Sequence, residues 1–264
     1  MLGKEHVSIS VATIIPFIIP LIFSGNVEYP IYYITLLIAV TIGSLTPDAD
    51  CGGKPKLYYD FKLIYDIMLP LQKAVIFAFR SLSLKYDLNL EHEVNNRHRG
   101  IMHAPIGIFL SSLILTLISA LFGFFIFQGI NLIMVLLIFI GLLFGQFLHL
   151  LEDSCTVTGI NWKFPFGTKL LNGKIYTFSK IKGKKDIRPM VYQQVLWINT
   201  ILLVFGFSFD VIDFNQWTLY PFIFLFVGLV WIFIIIASRT DYDFWYQDRN
   251  KINNFRKATR NLTK

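Results

Sequence analysis

Six long blocks of apolar residues divide this sequence, and they restrict the possible folds more than any other feature does. A helix needs about 20 predominantly apolar residues to cross the ~30 Å hydrocarbon core of a bilayer. The chain is 55% hydrophobic and only 16% charged, whereas a soluble domain carries about 25% charged residues. We therefore predict an all-α, polytopic integral membrane protein of about six transmembrane helices, at residues 7–23, 30–46, 104–127, 132–151, 195–209 and 217–237.

The positive charges of the chain fall on alternate loops. All 24 lysines and arginines lie before the first block, in the loops 47–103 and 152–194, or after the sixth block. The other three loops contain Glu28, Asp210 and Asp213 instead. Because Lys and Arg near span ends stay cytoplasmic, we predict that both termini are cytoplasmic. The net charge of +7 then favours membrane lipids as partners, and no specific nucleic acid is expected, since no binding motif surrounds the basic residues.

Three segments between or after the blocks carry weaker signals. Residues 57–90 mix apolar and basic side chains, which is typical of a helix in the plane of the membrane interface. A re-entrant segment is the alternative, and Pro70 is expected to interrupt either one. Short strands are predicted around Ile175–Phe178, and the tail 241–264 is predicted to form an amphipathic surface helix.

Candidate metal ligands stand at the ends of the blocks that face the cytoplasm. Histidine and aspartate are good ligands for zinc and similar divalent cations. Seven of these residues, including four of the five histidines, would converge on one membrane face: His6, Asp48, Asp50, His98, His103, His149 and Asp153. Structural roles are the alternative for each residue alone, since polar groups occur at helix ends and aspartate is common in turns.

The spacing within two of these groups supports a metal site. His149 and Asp153 are four residues apart, so both side chains leave the same face of a helix and can reach one ion. His98 and His103 are five residues apart, which is off-face on a regular helix. Gly100 between them predicts that His98 lies in the loop and that His103 opens the next helix.

Other polar residues near the blocks are less specific. His92 and Glu93 would begin the H-E-x-x-H motif of zinc proteases, but Asn96 stands where the second histidine is required. Cys51 and Cys155 would lie in a reducing compartment, so we expect no disulfide. An accessory metal or redox role stays open for both cysteines.

The order of these motifs resembles that of the YdjM-like family, whose members are described as membrane-bound, metal-dependent hydrolases. The resemblance covers about residues 1–166, and three departures from the family pattern, at Met102, Ala104 and Val157, affect neighbours of the ligands rather than the ligands. That family is distantly similar to zinc-dependent phospholipase C and related nucleases. The matching pieces are His6, Pro47-Asp48-x-Asp50, His98-Arg99-Gly100-x-x-His103, His149-x-x-x-Asp153-x-x-Thr156-x-x-Gly159, Trp162 and Pro165.

The resemblance implies a multi-pass protein of the inner membrane of a prokaryote, with a four-span hydrolase core in residues 1–166. A basic loop (167–194), two further spans (195–237) and a basic tail (238–264) would follow this core. The resemblance also implies a divalent metal, zinc or else manganese. The implied metal ligands are His6, Asp48, His98, His103, His149 and Asp153, and the implied bridging or general-base carboxylates are Asp50 and Glu152.

These observations favour hydrolysis of a phosphoester at the cytoplasmic membrane face. Asp48 or Asp50 would hold or deprotonate the attacking water, and Arg99 would neutralise charge on the phosphate. The depth of the site favours a lipid-linked substrate, which residues 57–90 would admit from the bilayer. A non-catalytic scaffold and a metal transporter are the alternatives. Transport is disfavoured because three of the spans carry no ionisable residue away from their ends.

Overall fold

The computed structural model describes residues 3–23, 30–50, 61–86, 88, 94, 99–167, 169–176, 186–209 and 216–244. Within these residues the seven long helices are α1 (Gly3–Phe23), α2 (Pro30–Leu45), α3 (Lys62–Lys85), α4 (Pro105–Phe127), α5 (Leu132–Ser154), α6 (Arg188–Ser208) and α7 (Gln216–Ala237). Two short 3-10 helices are η1 (Pro47–Asp50) and η2 (Ile101–His103), and three strands are β1 (Ile160–Asn161), β2 (Lys169–Asn172) and β3 (Asp241–Phe244).

The prediction of a helical membrane protein is confirmed. The six predicted blocks correspond to α1, α2, α4, α5, α6 and α7, and each of these helices is long and apolar enough to cross a membrane. Helix α6 begins at Arg188, before the predicted start at residue 195. Pro189 suits the first turn of a helix. The polar residues Gln193 and Gln194 interrupt the apolar pattern between this turn and residue 195, so the apolar run alone begins too late.

Helix α3 is also long and apolar enough to cross a membrane, but the path of the chain argues against a seventh span. Asp48 before α3 and His103 after it both approach His149, so they lie at the same end of the bundle. A crossing by α3 would have to be followed by a return through the bilayer, and the twelve residues 87–98 are too few for a second spanning helix, which needs about 20. We infer that α3 lies at this end of the bundle, packed on η1, η2 and α4.

The expectation that Pro70 interrupts this segment is wrong. Helix α3 continues through Pro70, which lies on its exposed side. A proline inside a helix removes one backbone hydrogen bond, and the packing of the opposite face compensates for that loss. The buried residues of this face recur every three or four positions: Tyr65, Met68, Gln72, Val75 and Phe79.

Helices α2 and α5 form the most extensive helix pair of the bundle. Glycines allow their close approach, because a methyl group on Gly43 would overlap the backbone of Leu142 and one on Gly145 would overlap that of Val40. Gly141 and Gly145 have the G-x-x-x-G spacing that lets membrane helices approach closely. This contact holds together the ends of the two helices that carry or precede the candidate ligands.

The last two spans pack on the first one. Trp197 of α6 donates from its indole nitrogen to Ser8 Oγ at 3.1 Å, and Trp231 of α7 donates to Thr13 Oγ1 at 3.2 Å. Apolar side chains of α1, α5, α6 and α7 form one buried cluster. Helices α6 and α7 therefore share a core with α1 rather than forming a separate unit.

A small antiparallel sheet, in the order β1-β2-β3, follows the ends of α5 and α7. Leu170 pairs with Asn161 on one side and with Asp243 on the other. The predicted helix in the tail is wrong for Asp241–Phe244, which form β3, and the rest of the tail lies outside the described residues. Of the strand predicted around Ile175–Phe178, Ile175 makes an isolated bridge to Thr156 and residues 177–178 lie outside the described residues; β2 was not predicted.

Candidate metal centre

Four segments bring five of the predicted ligands into one buried cluster. Helix α1 carries His6, η1 carries Asp48, η2 carries His103, and the last turns of α5 carry His149 and Asp153. The three histidines and Asp153 are buried, whereas the side chain of Asp48 is 16% exposed. The predicted convergence of these five residues at one end of the bundle is therefore present in the structure.

The five side chains form two overlapping ligand sets. His6, His149 and Asp153 make one set, and Asp48, His103 and His149 make the other. Within each set the ligand atoms lie within 4.8 Å of one another. Because both sets use His149, they describe two alternative positions for one ion.

His149 is oriented by the end of helix α2. Its Nδ1 lies 2.7 Å from the backbone carbonyl oxygen of Ser44. A carbonyl oxygen can only accept a hydrogen bond, so Nδ1 carries the proton and Nε2 keeps its lone pair. Nε2 makes no hydrogen bond to any described residue and points towards Asp48 and Asp153. This is the arrangement typical of a metal-ligating histidine.

His6 has a carboxylate on each side of its ring. Nδ1 lies 2.9 Å from Glu152 Oε2, but the angle between them does not meet that of a hydrogen bond. Nε2 lies 3.7 Å from Asp153 Oδ1. The ring stacks on that of His149, with centroids 3.8 Å apart. Glu152 is fully buried, so it faces His6 from behind and not from the open side of the cluster.

Arg99 holds the carboxylate of Asp153. Its Nη2 lies 2.8 Å from Asp153 Oδ2, and its Nη1 donates to Thr156 Oγ1 at 3.1 Å and to the carbonyl oxygen of Gly159 at 2.7 Å. Arg99 also has a φ of +63°, in the left-handed region that residues other than glycine rarely occupy. These contacts fix where Asp153 Oδ2 points, next to His103 Nε2 at 3.7 Å.

The separations within the cluster suit a shared ion better than direct hydrogen bonds. Two atoms bound to one tetrahedral zinc ion at about 2.0–2.1 Å lie about 3.3–3.5 Å apart. His149 Nε2 lies 3.7 Å from Asp48 Oδ1 and 3.9 Å from Asp153 Oδ2, which is too far for a hydrogen bond. Buried imidazole nitrogens and carboxylate oxygens at this spacing are a donor set that fits a divalent cation, so the cluster can hold a metal ion.

The remaining predicted site residues are not in these two sets. His98 lies outside the described residues. Asp50 ends η1, but the structure does not describe its side chain, so its role stays a prediction. Among the described residues, neither ligand set contains a cysteine. Burial raises the pKa of the Cys155 thiol. Its sulfur accepts a hydrogen bond from Thr240.

The sequence reasoning missed three contributors. Ser44 acts through its carbonyl, a group that every residue carries, so no sequence signal could have found it. Thr156 and Gly159 belong to the motif that carried the family resemblance, but nothing in that motif indicated that they accept hydrogen bonds from Arg99.

Comparisons with known proteins agree with the motif reasoning. A family model described as YdjM inner membrane protein matches residues 1–241. The match extends beyond residues 1–166 and includes α6 and α7. No curated protein and no solved structure matches the chain.

Proposed function

Because the chain belongs to the YdjM inner membrane protein family and buries a His/Asp cluster that can hold metal ions, we propose that it is a metal-dependent hydrolase. Its substrate is a phosphoester, cleaved at the cytoplasmic face of the inner membrane. The observation that carries this proposal is the buried group of His and Asp side chains in which His149 Nε2 faces the carboxylates of Asp48 and Asp153. Histidine and carboxylate ligands of this kind hold the metal ions of hydrolytic sites.

The residues that would hold the metal are the five members of the cluster. When bound, zinc or manganese supplies Lewis acidity, which lowers the pKa of a coordinated water and neutralises charge on the phosphoryl group. The cluster members are His6, Asp48, His103, His149 and Asp153. His98 would complete the set that the family resemblance implies.

Three contacts position these ligands. The Ser44 carbonyl fixes the tautomer of His149, and Glu152 faces Nδ1 of His6 as a carboxylate behind a ligating histidine. Such partners commonly orient a ligand and raise its basicity. Arg99 orients Asp153. We therefore assign Glu152 and Arg99 as positioning residues, instead of the general base and phosphate-binding roles that the sequence suggested.

Asp48 is the best placed residue to handle the attacking water. It is the most exposed member of the cluster, at 16% side-chain exposure, and it stands in η1, beyond the end of α2. A carboxylate at the open side can accept a proton from water as a substrate phosphoester binds. Asp50, two residues further along η1, is the alternative base.

The location of the cluster favours a substrate that resides in the bilayer. All five ligands lie at the ends of helices that are long and apolar enough to span a membrane, or in the short helices η1 and η2 beside those ends. A phosphoester linked to a lipid anchor would reach this depth without leaving the membrane. A non-catalytic scaffold fits less well, because a purely structural role does not call for His6 and His149 to bury Nε2 without a hydrogen-bond partner among the described residues.

Metal content and turnover test this proposal together. Detergent-purified protein is analysed by plasma mass spectrometry, alongside His149→Ala, Asp153→Ala and, as a matched control, His92→Ala. We expect stoichiometric zinc or manganese that both cluster variants lose and the control keeps. Metal-loaded protein is then assayed for phosphate release from lipid and soluble phosphoesters. The proposal is wrong if the protein binds no metal, or if the metal-loaded protein cleaves no phosphoester.

A further inference from the structure

An apolar groove lies at the surface, next to segments that carry two of the candidate ligands. It has a volume of about 380 Å³ and lies between the first turns of α4 and the turn that follows β1, within the roughly 300–1,000 Å³ range of small-molecule sites. Pro105, Ile106 and Phe109 form one wall, and Trp162 and Phe166 form the other. Phe109 and Phe166 are each more than 40% exposed, so the groove is open along its length.

The groove and the metal cluster share their supporting segments. Pro105 follows His103 by two residues, at the point where η2 gives way to α4. Trp162 donates from its indole nitrogen to Ser154 Oγ at 2.8 Å, and Ser154 directly follows Asp153. One wall of the groove therefore follows His103 along the chain, and the other is hydrogen-bonded to the residue after Asp153. These links connect the groove to the metal cluster.

One basic side chain stands at this otherwise apolar groove. Lys163 lines the groove and is exposed, and the methylene groups of its side chain lie against Gly167. A lysine whose stem covers apolar surface keeps its ammonium group at the water or headgroup side. The groove therefore offers an apolar channel with a positive charge at one place, which complements a lipid with an anionic phosphate and an acyl chain.

We propose that this groove binds one acyl chain of an anionic phospholipid, with the lipid phosphate beside Lys163. As a substrate groove it rests on the proposed function, since it would align the phosphoester of that lipid with the neighbouring metal cluster. The first turns of α4 stand at the membrane end of the protein that carries the basic loops, which is the depth of lipid headgroups. An acyl chain entering from the bilayer reaches the groove without crossing water.

Lipid retention by the full chain tests the groove directly. Delipidated, metal-loaded protein is titrated with phosphatidylglycerol or with phosphatidylcholine of the same chains, and bound lipid is counted by native mass spectrometry. Ile106→Trp places an indole in the groove, and Lys163→Gln removes the charge. The matched controls are Leu121→Trp, on the exposed side of the same helix, and Lys169→Gln in β2.

We expect one retained phosphatidylglycerol that Ile106→Trp largely abolishes. Lys163→Gln should reduce the preference for phosphatidylglycerol by about fivefold, the effect of one basic residue near an anionic lipid surface. Both controls should behave as the unmodified protein, and all variants should keep their metal. The groove assignment is overturned if the unmodified protein does not prefer phosphatidylglycerol, or if Leu121→Trp lowers retention as much as Ile106→Trp does.

Hydrolysis assays separate a failure of the groove from a failure of the proposed function. Retention that depends on Ile106 and Lys163, without cleavage of any phosphoester, would support the groove and contradict the hydrolase. Equal cleavage of a lipid phosphoester by the unmodified protein and by Ile106→Trp would support the hydrolase and contradict the groove. If both hold, Ile106→Trp slows cleavage of the lipid substrate, whereas Leu121→Trp cleaves it at the rate of the unmodified protein.

Discussion

Helix α5 carries buried polar side chains at two levels, and their surroundings differ. At the level of Gln146, the amide accepts a hydrogen bond from Ser111 Oγ at 2.6 Å and donates one to Ser112 Oγ at 2.8 Å. One turn later, His149 Nε2 makes no hydrogen bond within the described residues and faces two carboxylates. A polar group inside a membrane is costly unless it is satisfied. The first level is complete as protein, whereas the second level leaves a lone pair that a cation could take.

Glu152 provides the strongest test of this difference between the two levels, because it contacts His6 but belongs to neither ligand set. Glu152→Leu should weaken zinc affinity by about 10- to 100-fold, the usual effect of removing a partner of a ligating histidine. Glu152→Gln should recover part of the loss, since its amide oxygen keeps a partial negative charge next to Nδ1. Zinc titration by calorimetry measures both affinities, and the absorption spectrum of the cobalt-loaded protein reports any change in ligand geometry.

The exposed carboxylate Asp66 of α3 supplies the control for this prediction. Asp66→Asn should leave both the affinity and the cobalt spectrum unchanged. Equal affinities for Glu152→Leu and the unmodified protein would show that Glu152 does not position His6.

Gly145 directly precedes Gln146 on α5 and faces α2 near Ser44, whose carbonyl contacts His149. Gly145→Ala would push its methyl group into the backbone of Val40, and overpacking of this kind costs about 1–3 kcal/mol. The displacement should also move Ser44 away from His149 and weaken metal binding. Thermal unfolding in detergent and zinc titration measure the two effects.

Gly123 on α4 provides the matched control, since a methyl group there would meet no atom within 4 Å. Gly123→Ala should unfold at the same temperature as the unmodified protein or slightly above it. A similar loss of stability in both variants would mean that close approach of α2 and α5 is not the cause.

Gln146→Leu should affect only the level at which the polar side chains are hydrogen-bonded to one another. It removes two hydrogen bonds to serine hydroxyls but no candidate ligand. Interhelical hydrogen bonds within membrane proteins contribute about 0.6 kcal/mol on average and about 1.7 kcal/mol at most, so we expect a small decrease in unfolding temperature. Metal content should be unchanged. Loss of metal in this variant would show that Gln146 belongs to the centre.

The sequence predicted the spans and the ligand types because both are local properties. A run of apolar residues is read from one segment, and the spacing of His149 and Asp153 follows from one helical turn. The contacts that give the centre its geometry are not local. The Ser44 carbonyl reaches His149 because glycines bring α2 against α5, and Glu152 reaches His6 because α1 lies beside α5. Strand β3 exists only because β2, far away in the sequence, supplies its hydrogen-bond partners.

A third kind of polar contact lies outside the spans, where water competes with protein partners. Asp186 accepts hydrogen bonds from the Arg188 guanidinium, with Nε 3.0 Å from Oδ1, and Arg188 also contacts the carbonyls of Lys174 and Ala237. Burial alone raises the pKa of Asp186, but the hydrogen bonds from the side chain and backbone of Arg188 and from the backbone of Tyr176 outweigh it. The pKa of Asp186 in the folded protein is therefore lower than its usual value.

This lowered pKa predicts the smallest of the effects, and one with a definite pH dependence. An acid whose pKa falls on folding stabilises the protein above its unfolded pKa, about 3.9 for Asp, and this contribution is lost as pH falls through the folded value. Asp186→Asn should lower stability at pH 7 by roughly 0.2–1 kcal/mol, and the difference from the unmodified protein should shrink below about pH 4. Unfolding temperatures at pH 7, 5 and 3.5 measure this trend. A difference that stays constant with pH would mean that the charge of Asp186 does not contribute to stability. Asp186 would then resemble the Gln146 amide, which acts through neutral contacts.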